Sequence, residues 1–131
     1  MRINIISAGT VFLLASLLAC SDDSSSPTGT PPPSSEHRKV VQIRDNFFSP
    51  KDLVVSVGDT VEWVNLGNAE HTSTSGPGCT ADGKWTSALL SNGQKFSVIF
   101  DADHVNVTGN IPYFCIPHCA LNMKGTITVN P

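Results

Sequence analysis

From Val40 onward the chain alternates short runs of branched and aromatic residues with clusters of turn residues. The runs are Val40–Ile43 (VVQI), Leu53–Val57 (LVVSV), Thr60–Leu66 (TVEWVNL), Lys95–Phe100 (KFSVIF), Ile111–Cys115 (IPYFC) and Gly125–Val129 (GTITV). This composition fits a pleated, half-buried surface. Val61 and Trp63 flank Glu62; Phe96, Val98 and Phe100 alternate with Ser97 and Ile99; Ile127 and Val129 alternate with Thr126 and Thr128. A period of two turns one face of each strand toward a core. Val57-Gly58-Asp59-Thr60 sets Gly-Asp between two runs and predicts a tight hairpin there. No window sustains a helical period, and only 88–93 (ALLSNG) has room for a helical turn or two. About seven strands in fewer than about a hundred residues predict an all-β chain folded as an antiparallel sandwich with Greek-key connections.

The start of the chain reads differently. Residues 1–20 (MRINIISAGTVFLLASLLAC) begin with Arg2, run through apolar Val11–Leu18 and reach small Ala19 before Cys20. That is an export signal, too short and too asymmetrically flanked for a stable membrane span. Its ending, LLAC, resembles the bacterial lipobox, in which cleavage precedes the cysteine and lipid is attached to it; an ordinary secretory signal with Cys20 incidental is the other reading. Ser21–Ser35 (SDDSSSPTGTPPPSS) cannot bury enough apolar surface to offset its ordering entropy and is expected to be a flexible, partly polyproline tether. The expected organisation is a signal peptide at 1–19, a tether at 20–37 and one folded domain at 38–131. The protein would sit on the periplasmic side of a bacterial membrane or at the cell surface, held by lipid on Cys20.

A net charge of −3 spread without blocks gives no basic surface for nucleic acid and no polyanionic tail, so the class of partner has to be read from a site. Donor chemistry supplies one. Cys115 and His118 are separated by two residues, Met123 lies eight beyond Cys115, and His71 sits in the loop that follows the Trp63 run. One thiolate, two imidazoles and one thioether form the trigonal set with a weak axial ligand that suits a blue copper ion. Taken singly, a cysteine or methionine is more often core and a histidine more often a solvated polar group. Joint spacing and order favour the metal. His37, in the tether, and His104, in the polar loop DADHVN, are expected to be solvated.

The segment YFCIPHCALNMKGTITV, the upstream EHTSTSG and the strand pattern resemble the cupredoxins, specifically the plastocyanin-like small blue copper proteins, over roughly Val40 to Pro131. The resemblance implies a cupredoxin sandwich of seven to eight strands. It makes His71 the early ligand on its own loop, Cys115 the thiolate ending the penultimate strand, His118 the second imidazole and Met123 the long axial donor. It implies that the backbone at Thr72 ties the two ligand loops together and donates toward the thiolate. Pro117, lacking an N–H, would withhold a hydrogen bond from the Cys115 sulfur and so favour Cu(I). Family members usually carry glycine before the methionine; here Asn122 stands there, one of the few other residues tolerant of a left-handed backbone.

Cys115 and Cys119 are spaced like the two bridging cysteines of the binuclear purple-copper centre of cytochrome oxidase subunit II. That pattern requires a histidine four after the second cysteine, where this chain has Met123. With Cys20 assigned to lipid and Cys115 to copper, Cys79 and Cys119 remain as a disulfide pair in an oxidising compartment, two free thiols being the alternative.

Four protein donors leave no coordination position for a substrate, so the expected function is a non-enzymatic, monomeric one-electron carrier, exchanging electrons with a redox donor and acceptor that dock near His118. Ile116, Pro117, Ala120 and Leu121 would form the apolar patch around that ring. Two rivals differ from this reading. A copper chaperone, buffer or sensor in the periplasm would favour an open, exchangeable site. A multicopper oxidase or nitrite reductase would need additional histidines, typically in His-x-His pairs, and this chain has none.

Overall fold

The computed structural model describes residues 35–105 and 108–131. The expected signal peptide, Cys20 and nearly all of the tether lie outside the described residues. Among the described residues, eight strands make two four-stranded sheets. The first contains β1 (Arg38–Arg44), β2 (Phe47–Ser49), β4 (Thr60–Asn65) and β6 (Lys95–Ile99), in the order β2-β1-β4-β6. The second contains β3 (Asp52–Ser56), β5 (Thr74–Ser75), β7 (Gly109–Phe114) and β8 (Lys124–Asn130), in the order β3-β8-β7-β5. Chain neighbours are repeatedly split between the sheets, the crossover pattern of a Greek-key sandwich, so the expected all-β class is what forms. No helix of the described residues is long and apolar enough to cross a membrane.

The pairing is mixed rather than antiparallel throughout. β1 runs parallel to β4, Val41 opposite Trp63, and β3 runs parallel to β8, Leu53 opposite Ile127. Between β1 and β4 the chain makes β2 in the same sheet and β3 in the other, and between β3 and β8 it makes β4 to β7, passing repeatedly from sheet to sheet. The hairpin expected at 57–60 is one of these departures. β3 and β4 belong to different sheets, and the Gly58 N–H donates to Phe100 O at 2.8 Å while the Val57 N–H donates to Asn130 O at 3.0 Å. A Gly-Asp turn looks alike in sequence whether the strands it joins pair or part. The tight hairpin lies earlier: Arg44 pairs with Phe47, leaving Asp45-Asn46 as the loop, with Asn46 at a φ of 70° that asparagine tolerates.

Between the sheets pack Val41, Ile43, Phe48, Val61, Trp63, Val98 and Phe100 from one side and Val55, Ile111, Tyr113, Ile127 and Val129 from the other. Trp63 lies 5.6 Å from the Tyr113 ring in an edge-on arrangement and 5.6 Å from Trp85, the offset geometry aromatic quadrupoles prefer. Alternation misjudged Glu62, which is largely buried. It points away from the core, but Arg38 and Lys95, diagonal to it on the flanking strands, form ion pairs across it. Those partners, the Arg38 hydrogen bond first, hold its carboxyl below the usual range.

Two further expectations change. Residues 88–93 form no helical turn; Leu90 makes an isolated bridge with His71, and a turn follows at Asn92-Gly93. His37 is exposed, as expected, but not within a free tether: residues 35–37 form a 3-10 turn that leads into β1, and His37 Nδ1 lies 3.1 Å from Asp59 Oδ1. The pairing of Arg38 with Thr60 brings Asp59 beside it. His104 is exposed and bonds to Asp101 in its own loop.

Candidate metal centre

His71 leaves β4 on a loop whose course is fixed by one buried side chain. The Asn65 amide donates to Ala69 O at 2.8 Å and Leu90 O at 2.7 Å, and its carbonyl accepts from the Gly67 N–H at 2.9 Å. Reciprocal backbone bonds between His71 and Leu90 (3.2 and 2.8 Å) then pin the histidine itself. Beyond it lies a buried polar lattice. Ser73 N–H donates to Ser87 Oγ at 3.0 Å, Trp85 Nε1 donates to Ser73 Oγ at 3.0 Å, and Ser75 bonds to Trp85 and to Asp82. Satisfied in this way, a loop of serines and threonines can lie inside the protein without the cost of unpaired polar groups.

Cys115 follows β7 directly. Its N–H donates to Met123 O at 3.1 Å, so the intervening loop closes on itself where β7 and β8 part. Inside the loop, Leu121 N–H and Met123 N–H both donate to His118 O, and Cys119–Leu121 form one 3-10 turn. Asn122 ends that turn in the left-handed region (φ 64°, ψ 29°), its N–H donating to Cys119 O. The turn that glycine normally supplies is therefore made by asparagine.

The two segments meet with their donor atoms together. Cys115 Sγ lies 3.6 Å from His71 Nδ1 and 3.4 Å from His118 Nδ1, and donor atoms of the three residues all fall within 4.8 Å of one another. The imidazole centroids are 4.6 Å apart with their planes inclined at 49°. Two bonds of about 2.0–2.3 Å opening at a near-trigonal angle subtend sulfur–nitrogen edges of about this size, so the donor set fits a copper ion in both chemistry and spacing. Met123, fully buried, is brought beside Cys115 by the loop-closing hydrogen bond.

Thr72 joins the segments twice. Its N–H points at Cys115 Sγ (3.4 Å), and its Oγ1 accepts from the Ile116 N–H (2.8 Å). Pro117 follows Ile116 and has no N–H to offer the sulfur. His71 is wholly buried, and burial, followed by the neighbouring His118, pushes its pKa below the ordinary value. His118 is half-buried, ringed in sequence by exposed Ile116, Pro117, Ala120 and Leu121. Cys79 and Cys119 are joined by a disulfide with Cα atoms 5.9 Å apart, which ties the 76–84 loop to the loop carrying His118; Cys115 is a free, buried thiol.

Asn65, which organises the His71 loop, was not among the residues singled out from the sequence, although an asparagine ending an apolar strand was a signal for it.

The family model for copper binding proteins of the plastocyanin/azurin family matches residues 36–130. A curated relative, plastocyanin from Nostoc punctiforme, is 39% identical over 90 residues, which are 63% of this chain and 63% of that protein. Plastocyanin from Scenedesmus fuscus is 33% identical over 88 residues, 63% of this chain and 85% of that one. Among solved structures, the purple cupredoxin from Nitrosopumilus maritimus superposes with a TM-score of 0.61 at 25% identity, over 70% of this chain and 98% of that one.

Proposed function

This chain belongs to the plastocyanin/azurin family of copper-binding proteins, and on that premise we propose that it carries single electrons through one copper ion held by His71, Cys115, His118 and Met123. The observation that carries this reading is the convergence of the Cys115 thiol and two imidazole nitrogens, from loops far apart in sequence, at mutual distances that suit one small soft cation. When bound, copper supplies a one-electron couple between Cu(I) and Cu(II).

The surrounding residues suit such a couple. His71, Cys115 and Met123 are buried, which keeps water from the donors. Their positions are set by hydrogen bonds that do not involve the metal, so little has to rearrange when the charge of the site changes. Thr72 N–H places one weak donor on the sulfur while Pro117 withholds a second, limiting stabilisation of the oxidised site. His118 reaches the surface amid Ile116 and Leu121, which are 55% and 63% exposed. That apolar rim is where a redox donor or acceptor would dock, with the imidazole as the route for the electron.

The role is transfer, not catalysis, because four protein donors leave no place for a substrate. Lipid on Cys20 and the tether after it would hold the domain outside the cytoplasm at a bacterial membrane. Copper handling fits less well, since release would require opening a loop closed by its own hydrogen bonds and by the Cys79–Cys119 disulfide. Voltammetry of the copper-loaded protein tests the reading. A reversible one-electron wave with copper retained through repeated cycles and against a chelator is expected; copper lost on reduction would overturn it in favour of copper handling.

A further inference from the structure

His71 Nε2 is one of two buried side-chain nitrogen or oxygen atoms without a hydrogen-bond partner among the described residues. The carboxylate it faces belongs to Asp45, at the tip of the β1–β2 hairpin, with Oδ1 3.6 Å away. That gap exceeds the ordinary N–H···O limit of about 3.2 Å by a few tenths of an ångström. The same Oδ1 accepts from the N–H groups of Asn68 (2.8 Å) and Ala69 (3.1 Å), so the carboxylate is moored to the loop that delivers His71. Gly67 permits the approach: a Cβ there would collide with the Asp45 carboxylate and with its backbone nitrogen. Those contacts, the Ala69 N–H first, hold the Asp45 carboxyl below its usual range.

We propose that Asp45 is the positioning residue for His71, its carboxylate accepting from Nε2–H so that Nδ1 is left as the lone-pair donor facing Cys115 and the metal. The second ring nitrogen of a ligand histidine sets the tautomer, and a charged acceptor there makes the imidazole a stronger donor. The same negative charge favours the more positive, oxidised state of the site. This inference rests on the copper reading above, and its test separates the two.

Asp45→Asn keeps the shape and an acceptor oxygen but removes the charge; Asp45→Ala removes both. In copper-loaded protein, Asp45→Asn should shift the equilibrium with a redox mediator about threefold to tenfold toward the reduced form. The upper figure corresponds to a rise in potential of about 59 mV. In metal-free protein, proton NMR should show His71 Nε2–H and the Ala69 amide exchanging at least about tenfold faster in Asp45→Ala than in the parent. A potential in Asp45→Asn within about twofold of the parent equilibrium, or shifted downward, overturns the proposal. Unchanged Nε2–H exchange in Asp45→Ala overturns it equally. Should the alanine variant fail to fold, the asparagine variant decides alone. If the parent protein binds no copper, the copper reading falls, and the metal-free exchange measurement still judges the Asp45–His71 contact.

Discussion

The two segments that build the metal centre are held in place by opposite means. The loop from Cys115 to Met123 carries three of the four proposed donors and is closed by bonds within itself: Cys115 N–H to Met123 O, Met123 and Leu121 N–H to His118 O, Asn122 N–H to Cys119 O. Its middle is exposed, and the Cys79–Cys119 disulfide and Thr72 tie it to distant chain. The His71 segment carries one donor, is buried, and depends on distant partners: Leu90, Ser87, Cys115 and the Asp45 carboxylate. Local closure lets one loop present its donors as a unit. Remote anchoring makes the other donor's position a property of the whole sandwich.

Substitutions should separate these two kinds of support. The largest effect is expected at the thiolate: Cys115→Ser should abolish the intense visible absorption of the copper-loaded protein, whereas Cys119→Ser should keep it. An absorption that survives the first and vanishes in the second would reassign the sulfur ligand.

Replacing both Cys79 and Cys119 by alanine should cost roughly 4 kcal/mol of unfolding free energy on the loop-entropy model, measured by denaturant titration, with the visible spectrum retained. The bond closes a sequence separation of 40 residues, which sets that scale. Loss of the copper spectrum in this variant would show that the C-terminal loop is not closed by its own bonds.

Asn65→Ala strips three bonds from the His71 segment, leaving the Ala69 carbonyl without that donor and Leu90 O with the His71 N–H alone. A loss of about 2–4 kcal/mol is expected, with weaker copper retention, because the anchor of His71 goes with it. If stability falls but copper is held as tightly as before, the remote anchoring of His71 is not what shapes the site.

The smallest effect belongs to the left-handed turn. Asn122→Ala should cost about 1–2 kcal/mol and Asn122→Gly less than about 0.5 kcal/mol, read from the same titration. Equal losses in the two variants would mean that the Asn122 side chain, and not its φ of 64°, matters.

Most of the strands were legible, because a period of two and branched residues are local properties; Trp63, Val98 and Ile127 sit in the core as the alternation requires. Short strands escaped. β5 is only Thr74-Ser75, polar and buried through hydrogen bonds that its sequence does not announce. Glu62 escaped because its cover comes from neighbouring strands.

Strand character, the types and order of the proposed donors and the tight turn into Met123 are all set by residues close in the chain. That 57–60 crosses between sheets, that β1 lies parallel to β4, and that Asn65 and Asp45 bond to the loop carrying His71 follow from the three-dimensional arrangement alone, whereas the Cys79–Cys119 bond was already expected from the count of cysteines. The reason is physical. A periodicity fixes which face of a strand is apolar, whereas the choice of neighbour depends on how two sheets share one core, and the metal centre stands where that choice brings remote loops together.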